Sequence, residues 1–196
     1  MPNVVVIAGP NGSGKSTTAP KLLRDTLKIE HFINADAIAS GLSAFAPDRA
    51  AFPAGRIMLQ RMTELTELRE NFALESTLSS RSLAPRIVKL RAKGYVVHLI
   101  FLWLLDVNLA VKRVAERVKA GGHGIPEEIV RRRYTRSIGN FFNIYRPIAD
   151  SWLMLDNSLQ DSPKPVAWRN IGGPVQITKS GPWNKLREEY EKDILQ

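Results

Sequence analysis

The most informative absence in this sequence is cysteine, which does not occur among its 196 residues. Disulfide bonds, zinc–thiolate sites and thiol nucleophiles are therefore excluded, and the composition is typical of a reducing compartment such as the cytoplasm. Long hydrophobic runs are also missing, because no apolar stretch reaches the length of about 18 residues that a membrane-spanning helix needs. The N-terminus lacks the basic and apolar segments of a signal peptide. We therefore expect a cytoplasmic protein without membrane contacts.

The charge of the chain is strongly positive. Lysine and arginine number 28 against 19 acidic residues, which gives a net charge of +9. This balance favours a polyanionic partner, either nucleic acid or a small molecule rich in phosphate. Much of the arginine falls between residues 113 and 146 and not in a tail. A focused cluster of this kind suits the phosphates of a nucleotide as well as it suits RNA.

The hydrophobic pattern predicts a single α/β domain over residues 1–196, because short apolar runs alternate with helical patterns and no internal repeat is present. The predicted strands are 3–8, 31–36, 71–76, 95–104, 152–156 and 165–169. The predicted helices are 13–27, 48–70, 84–93, one that begins after Asp106, and 126–146. Such alternation implies a mostly parallel sheet with helices on both faces.

Two local features qualify this pattern. Pro20 lies past the first turn of its helix, where it removes a backbone hydrogen bond, so we expect a kink there. Residues 161–165 and 172–182 are rich in proline and aperiodic. We expect them to be connecting loops, and we expect a C-terminal tail over about residues 170–196.

The strongest motif is "GPNGSGKST" at residues 9–17, between the first strand and the first helix. Its glycines let backbone N–H groups turn inward around phosphates, where the helix dipole adds positive field. Lys15 is expected to reach the β- and γ-phosphates, and the Ser16 hydroxyl is expected to bind Mg²⁺. The motif predicts ATP or GTP with Mg²⁺ as cofactors. The residues predicted to bind the nucleotide are Gly9, Asn11, Gly12, Ser13, Gly14, Lys15, Ser16 and Thr17.

Carboxylates follow three of the predicted strands. Asp106 comes after the longest apolar run, but a helix begins at once, so a capping role is favoured over a magnesium ligand. Asp36 ends the second strand beside Asn34, at the sheet edge where ligands bind in such folds. It could take the proton of a substrate hydroxyl that attacks the γ-phosphate and help to position Mg²⁺, or it could cap the helix that follows.

Glu75 and Thr77 end the third strand, at the same predicted edge of the sheet. Together with Asn34 and Asp36 they favour a binding pocket for a substrate that carries a hydroxyl group. The alternative is a short polar turn without a binding role.

The arginine-rich region about 113–146 has the features of a closing lid, since a glycine-containing loop at 120–124 separates two helices that carry arginine. Arg113 and Arg117 lie on one helix face. Residues 131–133 are consecutive arginines, so at least one of them points to solvent. The alternative is a basic, solvated helix, and His123 in the loop is given no role.

These motifs together resemble the zeta-toxin family of small kinases. The segments that carry the resemblance are "GPNGSGKST", "FINADAIA", "FALESTLSS", "RVAERVKAGGHGIPEEIVRRRYTRSIGNF" and "LDNS", in the expected order over about residues 1–160. The resemblance implies a P-loop kinase fold with parallel strands in the order 2-3-1-4-5. It implies the phosphorylation of a nucleotide sugar, typically UDP-N-acetylglucosamine, by ATP and Mg²⁺. An antitoxin protein is a possible partner.

The resemblance also implies roles for single residues. The residue matching Asp36 is the catalytic base, and the one matching Lys15 holds phosphate. Positions matching Glu75 and Thr77 contact the sugar substrate. The arginines matching Arg117 and Arg131 contact phosphates from the lid. The chain is shorter than the best-known toxins, so the substrate-side insertions of long members have little room.

Two other functions remain open from the sequence. One is a different P-loop kinase, for a nucleoside, an antibiotic or the 5′-hydroxyl of a polynucleotide. The other is a nucleotide-dependent RNA-binding or regulatory module, which the net charge favours and the location of the arginines in the lid disfavours. Residues 156–158 follow a late strand and are a candidate for contact with the purine.

Overall fold

A seven-stranded sheet forms the centre of the protein in the computed structural model, which describes residues 1–122, 124–159 and 162–192, without the side chains of Asp25 and Asp48. His123 and Asp161 lie outside the described residues. The strands are β1 (Asn3–Ala8), β2 (His31–Ile33), β3 (Phe72–Ser76), β4 (Val96–Trp103), β5 (Ser151–Asp156), β6 (Lys164–Arg169) and β7 (Val175–Ile177).

The order of the strands is β2-β3-β1-β4-β5-β6-β7. The first five are parallel, as predicted, and their order 2-3-1-4-5 is confirmed. β6 and β7 extend the sheet in antiparallel orientation. Because parallel strands end at one edge, the residues after β1, β2 and β3 are brought together there.

The helices connect these strands on both faces of the sheet. They are α1 (Lys15–Lys21), α2 (Ala35–Leu42), α3 (Ala51–Glu67), α4 (Ala84–Ala92), α5 (Val107–Lys119), α6 (Glu127–Asn140), α7 (Arg146–Ile148) and α8 (Ser180–Tyr190). A 3-10 turn, Pro47–Ala50, precedes α3, and π-helical turns follow α1 at Leu22–Thr26 and α6 at Phe141–Tyr145. The irregularity expected at Pro20 is therefore a change to π-helix directly after it.

The two larger clusters of the core lie on opposite faces of the sheet, and a small third one joins α2 to α3 through Ala39, Ala50 and Ala54. Alternating residues of β1 supply the two main clusters, with Val4 and Val6 in the larger of them and Val5 and Ile7 in the smaller. The larger contains α6 and α8, and the smaller is covered by α1 and its π-helical turn. None of the helices in the described ranges is long and apolar enough to cross a membrane.

The region predicted to be loops and a tail, about residues 170–196, was misread in part. It contains β7 and α8, and Trp183 of α8 is buried and stacks on Trp152 at 5.4 Å. Trp183 and Leu186 are spaced as on one helix face, which is a helical signal. The neighbouring glycines and prolines hid this signal in the sequence.

Candidate active site at the carboxyl edge of the sheet

The phosphate-binding loop connects β1 to α1, as its mechanism requires. Gly9 and Gly14 have φ angles of 142° and 84°, backbone conformations that residues with a side chain rarely adopt. A Cβ atom on Gly9 would collide with the backbone oxygen of Leu102, and one on Gly14 would collide with the amide of Asn157. Glycine is therefore needed at both positions because the chain turns and neighbouring groups approach closely.

Lys15 projects from the start of α1 into this loop and is buried, with 6% of its surface exposed. Its Nζ donates a hydrogen bond to the Pro10 carbonyl at 3.0 Å and lies 3.9 Å from Oε1 of Glu75. Burial lowers the pKa of Lys15, and the charges of Glu75 and Asp36 oppose this, while those of Arg117 and Arg133 add to it. The charges of two carboxylates and two arginines therefore act on one ammonium group.

Glu75 occupies the end of β3, opposite Ile7 of β1 in the parallel register. Its side chain is 9% exposed. It accepts hydrogen bonds from Ser16 Oγ at 3.2 Å and from Asn34 Nδ2 at 2.8 Å. Burial raises the pKa of Glu75, and Lys15 and the Ser16 hydroxyl oppose the rise. The carboxylate is thus held directly beside the hydroxyl that the motif assigns to Mg²⁺.

Asp36 lies in the first turn of α2, because β2 ends at Ile33, earlier than predicted. The side chain that caps α2 is that of Asn34, which accepts from the backbone N–H groups of Asp36 and Ala37 at 2.8 and 3.1 Å. Asp36 itself is exposed. It lies at the same edge of the sheet as the phosphate loop, because β2 and β1 both run parallel to β3, and its negative charge raises the pKa values of both Lys15 and Glu75.

The predicted arginines are placed differently from one another. Arg113 donates to the backbone oxygens of Asn157 and Ser158 at 2.7 and 3.1 Å. Arg131 donates to Glu127 at 2.8 Å and to Asn108 at 2.8 Å, which ties α6 to the start of α5.

Arg117 and Arg133 are the arginines whose charges act on Lys15. Arg133 was not singled out in the sequence. Its position relative to buried Val130 and Ser137 (i+3 and i−4) places it on their face of α6, and this spacing is a signal that could have found it.

Thr77 begins the loop between β3 and α4. Its hydroxyl shares a hydrogen bond with Ser79 at 2.8 Å, and its carbonyl accepts from the buried Ser137 of α6 at 2.5 Å. The next residue, Leu78, has a φ of 53°, and its carbonyl accepts from Asn140 at 2.7 Å. The loop that carries Thr77 is therefore held in place by α6.

The donor set of the site fits a nucleotide with a magnesium ion. Ser13 Oγ, a hydroxyl that can donate to a phosphate oxygen, is buried in the loop without a hydrogen-bond partner in the described part of the protein. Ser16 and Glu75 offer the oxygen ligands that Mg²⁺ prefers, with phosphate oxygens completing such a site. The described residues contain no cluster of three or more His, Asp or Glu side chains that would hold a metal without a nucleotide.

Two further predictions concern residues outside this cluster. Asp106 caps α5 by accepting from Asn108 N at 2.9 Å, as favoured. In the segment 156–158, Asp156 pairs with Lys179 at 2.8 Å and Ser158 Oγ accepts from Leu105 N at 2.7 Å. The polar side chains of these two residues are thus used within the protein.

The fold and this loop define the class of the protein as a P-loop kinase-like α/β fold, which agrees with the solved structures it resembles. The complex of AvrRxo1-ORF1 and -ORF2 with ATP matches with a TM-score of 0.74 at 14% identity, and the PezAT toxin–antitoxin system of Streptococcus pneumoniae with 0.65 at 14%. They cover 95% and 97% of this chain. The chain spans 63% of the AvrRxo1 chain and 78% of the PezAT chain. The predicted fold is confirmed.

The family follows from sequence comparison. A model of the AAA domain, AAA_33, matches residues 4–140, and the chain belongs to this family. An uncharacterised protein of Haemophilus influenzae is 35% identical over 130 residues, which are 66% of this chain and 91% of that protein.

Proposed function

We propose that the protein is an ATP-dependent kinase that transfers the γ-phosphate to a hydroxyl group of a small molecule. The observation that carries this proposal is the exposed carboxylate of Asp36 at the edge where Lys15 lies in the phosphate loop. An exposed acid beside the donor site is accessible to an acceptor hydroxyl. A site that only bound nucleotide would not need it.

In the proposed reaction the acceptor oxygen attacks the γ-phosphorus while the bond to the β–γ bridging oxygen breaks, and ADP leaves. Asp36 takes the proton of the attacking hydroxyl. Lys15 neutralises the charge that develops on the transferred group. Ser16 and Glu75 would hold Mg²⁺, which supplies further positive charge at the phosphates when it is bound.

Arg117 and Arg133 are proposed to share the neutralising role, since their charges act on Lys15. Arg131 was expected in this role, but its guanidinium is engaged by Glu127 and Asn108. We therefore propose that Arg131 positions α6 against α5, and that Arg133 contacts the phosphates.

The preferred acceptor class is a nucleotide sugar, with UDP-N-acetylglucosamine as the first candidate. This rests on the resemblance to zeta toxins and is supported by the fold shared with PezAT. Asn34 and Thr77 are proposed to contact the acceptor beside Asp36. Glu75, which accepts a hydrogen bond from Asn34, is proposed to hold Asn34 in place for this contact. A protein antitoxin and a cytoplasmic location are proposed on the same ground.

The test is a screen with ATP labelled in the γ-phosphate and Mg²⁺. The panel contains UDP-N-acetylglucosamine, UDP-glucose, nucleosides and an RNA oligonucleotide with a 5′-hydroxyl. We expect label and the mass of one phosphoryl group to appear on the amino sugar nucleotide. Label on the RNA alone would show that the acceptor is a polynucleotide 5′-hydroxyl and not a nucleotide sugar. Release of inorganic phosphate without transfer to any member of the panel would contradict the kinase proposal.

A further inference from the structure

A side chain 144 positions later in the sequence contacts the phosphate loop. Asn157, which follows β5, donates from Nδ2 to the carbonyl oxygen of Ser13 at 2.8 Å. Ser13 is fully buried in the middle of the loop. The same amide group is the one that a Cβ on Gly14 would strike. The Asn157 side chain therefore packs directly against the Ser13–Gly14 peptide.

Asn157 is itself held on two sides. Its backbone N–H donates to the Trp103 carbonyl at 2.9 Å, which continues the pairing of β5 with β4. Its own carbonyl accepts from Arg113 Nη1 at 2.7 Å, and the second nitrogen of Arg113 binds the next carbonyl, that of Ser158, at 3.1 Å. A guanidinium that holds two neighbouring carbonyls restricts both their position and their orientation.

The effect on the phosphate loop follows from peptide geometry. In a trans peptide the C=O of Ser13 and the N–H of Gly14 point in opposite directions. Fixing the carbonyl on Asn157 therefore directs the Gly14 N–H away from Asn157. Phosphate loops bind anions through N–H groups that are aligned before the ligand arrives. An unfixed peptide could turn its carbonyl, which repels phosphate, into the site.

We propose that Asn157 is a positioning residue for the nucleotide phosphates, acting through the Ser13–Gly14 peptide and kept in place by Arg113. Arg113 lies one helical turn before Arg117 on α5. The same contact therefore also fixes the distance between the phosphate loop and the helix that carries Arg117. The proposal rests on the nucleotide-binding part of the proposed function and is independent of the acceptor.

A different role for Asn157 would be direct contact with the nucleobase, as the sequence suggested for residues 156–158. The two roles are separated by a ligand without a base. If Asn157 acts through the phosphate loop, inorganic pyrophosphate and ADP lose affinity together. If it contacts the base, ADP alone loses affinity.

The experiment is calorimetric titration of the full chain with ADP and with pyrophosphate, each with Mg²⁺. The variants are Asn157→Ala, Asn157→Asp, which keeps the shape but not the donor, and Arg113→Ala. Asn170→Ala is the matched control, since Asn170 is exposed and directly follows β6, at the end of that strand far from Asn157. Thermal unfolding without ligand is measured in parallel.

We expect Asn157→Ala and Arg113→Ala to bind both ligands about tenfold more weakly, the value of one lost hydrogen bond of about 1.4 kcal/mol. Asn157→Asp should be weaker still, and the double variant should be no worse than either single one, because both residues serve one contact. The Asn170→Ala control should bind both ligands with wild-type affinity and unfold at the wild-type midpoint. Wild-type affinity for pyrophosphate in the Asn157 variants would overturn the proposal, and the Asp variant provides this test if the Ala variant does not fold.

Discussion

At the scale of single residues, the two carboxylates near Lys15 differ in their surroundings. The side chain of Glu75 is 9% exposed, its oxygens accept hydrogen bonds from Ser16 and Asn34, and its pKa is raised. Asp36 is exposed at the start of α2. Because environment divides the roles of paired acids, the buried carboxylate suits the metal and the exposed one suits the acceptor.

The raised pKa of Glu75 makes a prediction about stability. Its folded-state pKa lies above the ordinary 4.5, so the folded protein holds this proton more firmly than the unfolded chain. The stability that Glu75 contributes is present below pH 4.5 and is lost as the pH rises through the folded-state value. We therefore expect Glu75→Gln, without nucleotide, to unfold at a higher temperature than wild type at neutral pH.

The measurement is thermal unfolding of both proteins from acid to neutral pH. The difference in midpoint should shrink towards pH 4.5 and open above it. The same variant should need more Mg²⁺ for half-maximal phosphoryl transfer, since it loses a charged oxygen beside Ser16. A variant that is less stable at neutral pH, with unchanged Mg²⁺ dependence, would contradict the assignment.

The consecutive arginines of α6 offer a second prediction at this scale. The charge of Arg133 lowers the pKa of Lys15, whereas the neighbouring Arg132 is exposed. Arg133→Ala should lower kcat by about 10²–10³-fold, the usual cost of one group that stabilises transition-state charge. Arg132→Ala, which removes the same charge one residue away, should keep a rate close to wild type. Equal losses in the two variants would show a general effect of charge and not a contact.

At the scale of elements, α6 is not a free lid. One face of its second half is buried through Tyr134, Ser137 and Ile138, and its Ser137 and Asn140 donate hydrogen bonds to the carbonyls of Thr77 and Leu78. The lid predicted for about residues 113–146 therefore extends too far, because its second half packs in the larger core. One consequence is that α6 links Arg133, which is proposed to contact the phosphates, to the loop proposed to contact the acceptor.

The helix α8 packs against the π-helical turn that follows α6 and against β5. Trp183 is buried against Phe142 and Trp152, and Arg146 lies over all three rings at 5.1–5.8 Å. Trp183→Ala should lower the free energy of unfolding by about 3–5 kcal/mol, as for other large buried aromatic residues. Urea unfolding measures this, with exposed Glu188→Ala as the control. Wild-type stability of Trp183→Ala would mean that residues 180–190 are a tail, as the sequence suggested.

At the scale of the whole molecule, the sequence was sufficient for the phosphate loop and for a mostly parallel sheet, because both depend on local patterns, namely glycine spacing and short apolar runs that alternate with helices. The order of the parallel strands was implied only by the resemblance to zeta toxins, and the structure has that order. The antiparallel pair β6–β7 and the contact of Asn157 with Ser13 could not be predicted in this way. They depend on which distant segments meet, and Asn157 and Ser13 are separated by 144 positions. The sequence left Asp36 open as the cap of the helix after β2, and the structure gives this role to Asn34 instead.

The central claim is that Asp36 accepts the proton of the acceptor hydroxyl at the edge of the sheet that holds the nucleotide. The most direct test compares wild type with Asp36→Asn for transfer of labelled γ-phosphate to the acceptor found in the screen, with ATP affinity measured on the same samples. We predict that transfer falls by about 10²–10⁴-fold, the usual contribution of a general base, while ATP affinity stays close to wild type. Transfer by Asp36→Asn at the wild-type rate would contradict the account.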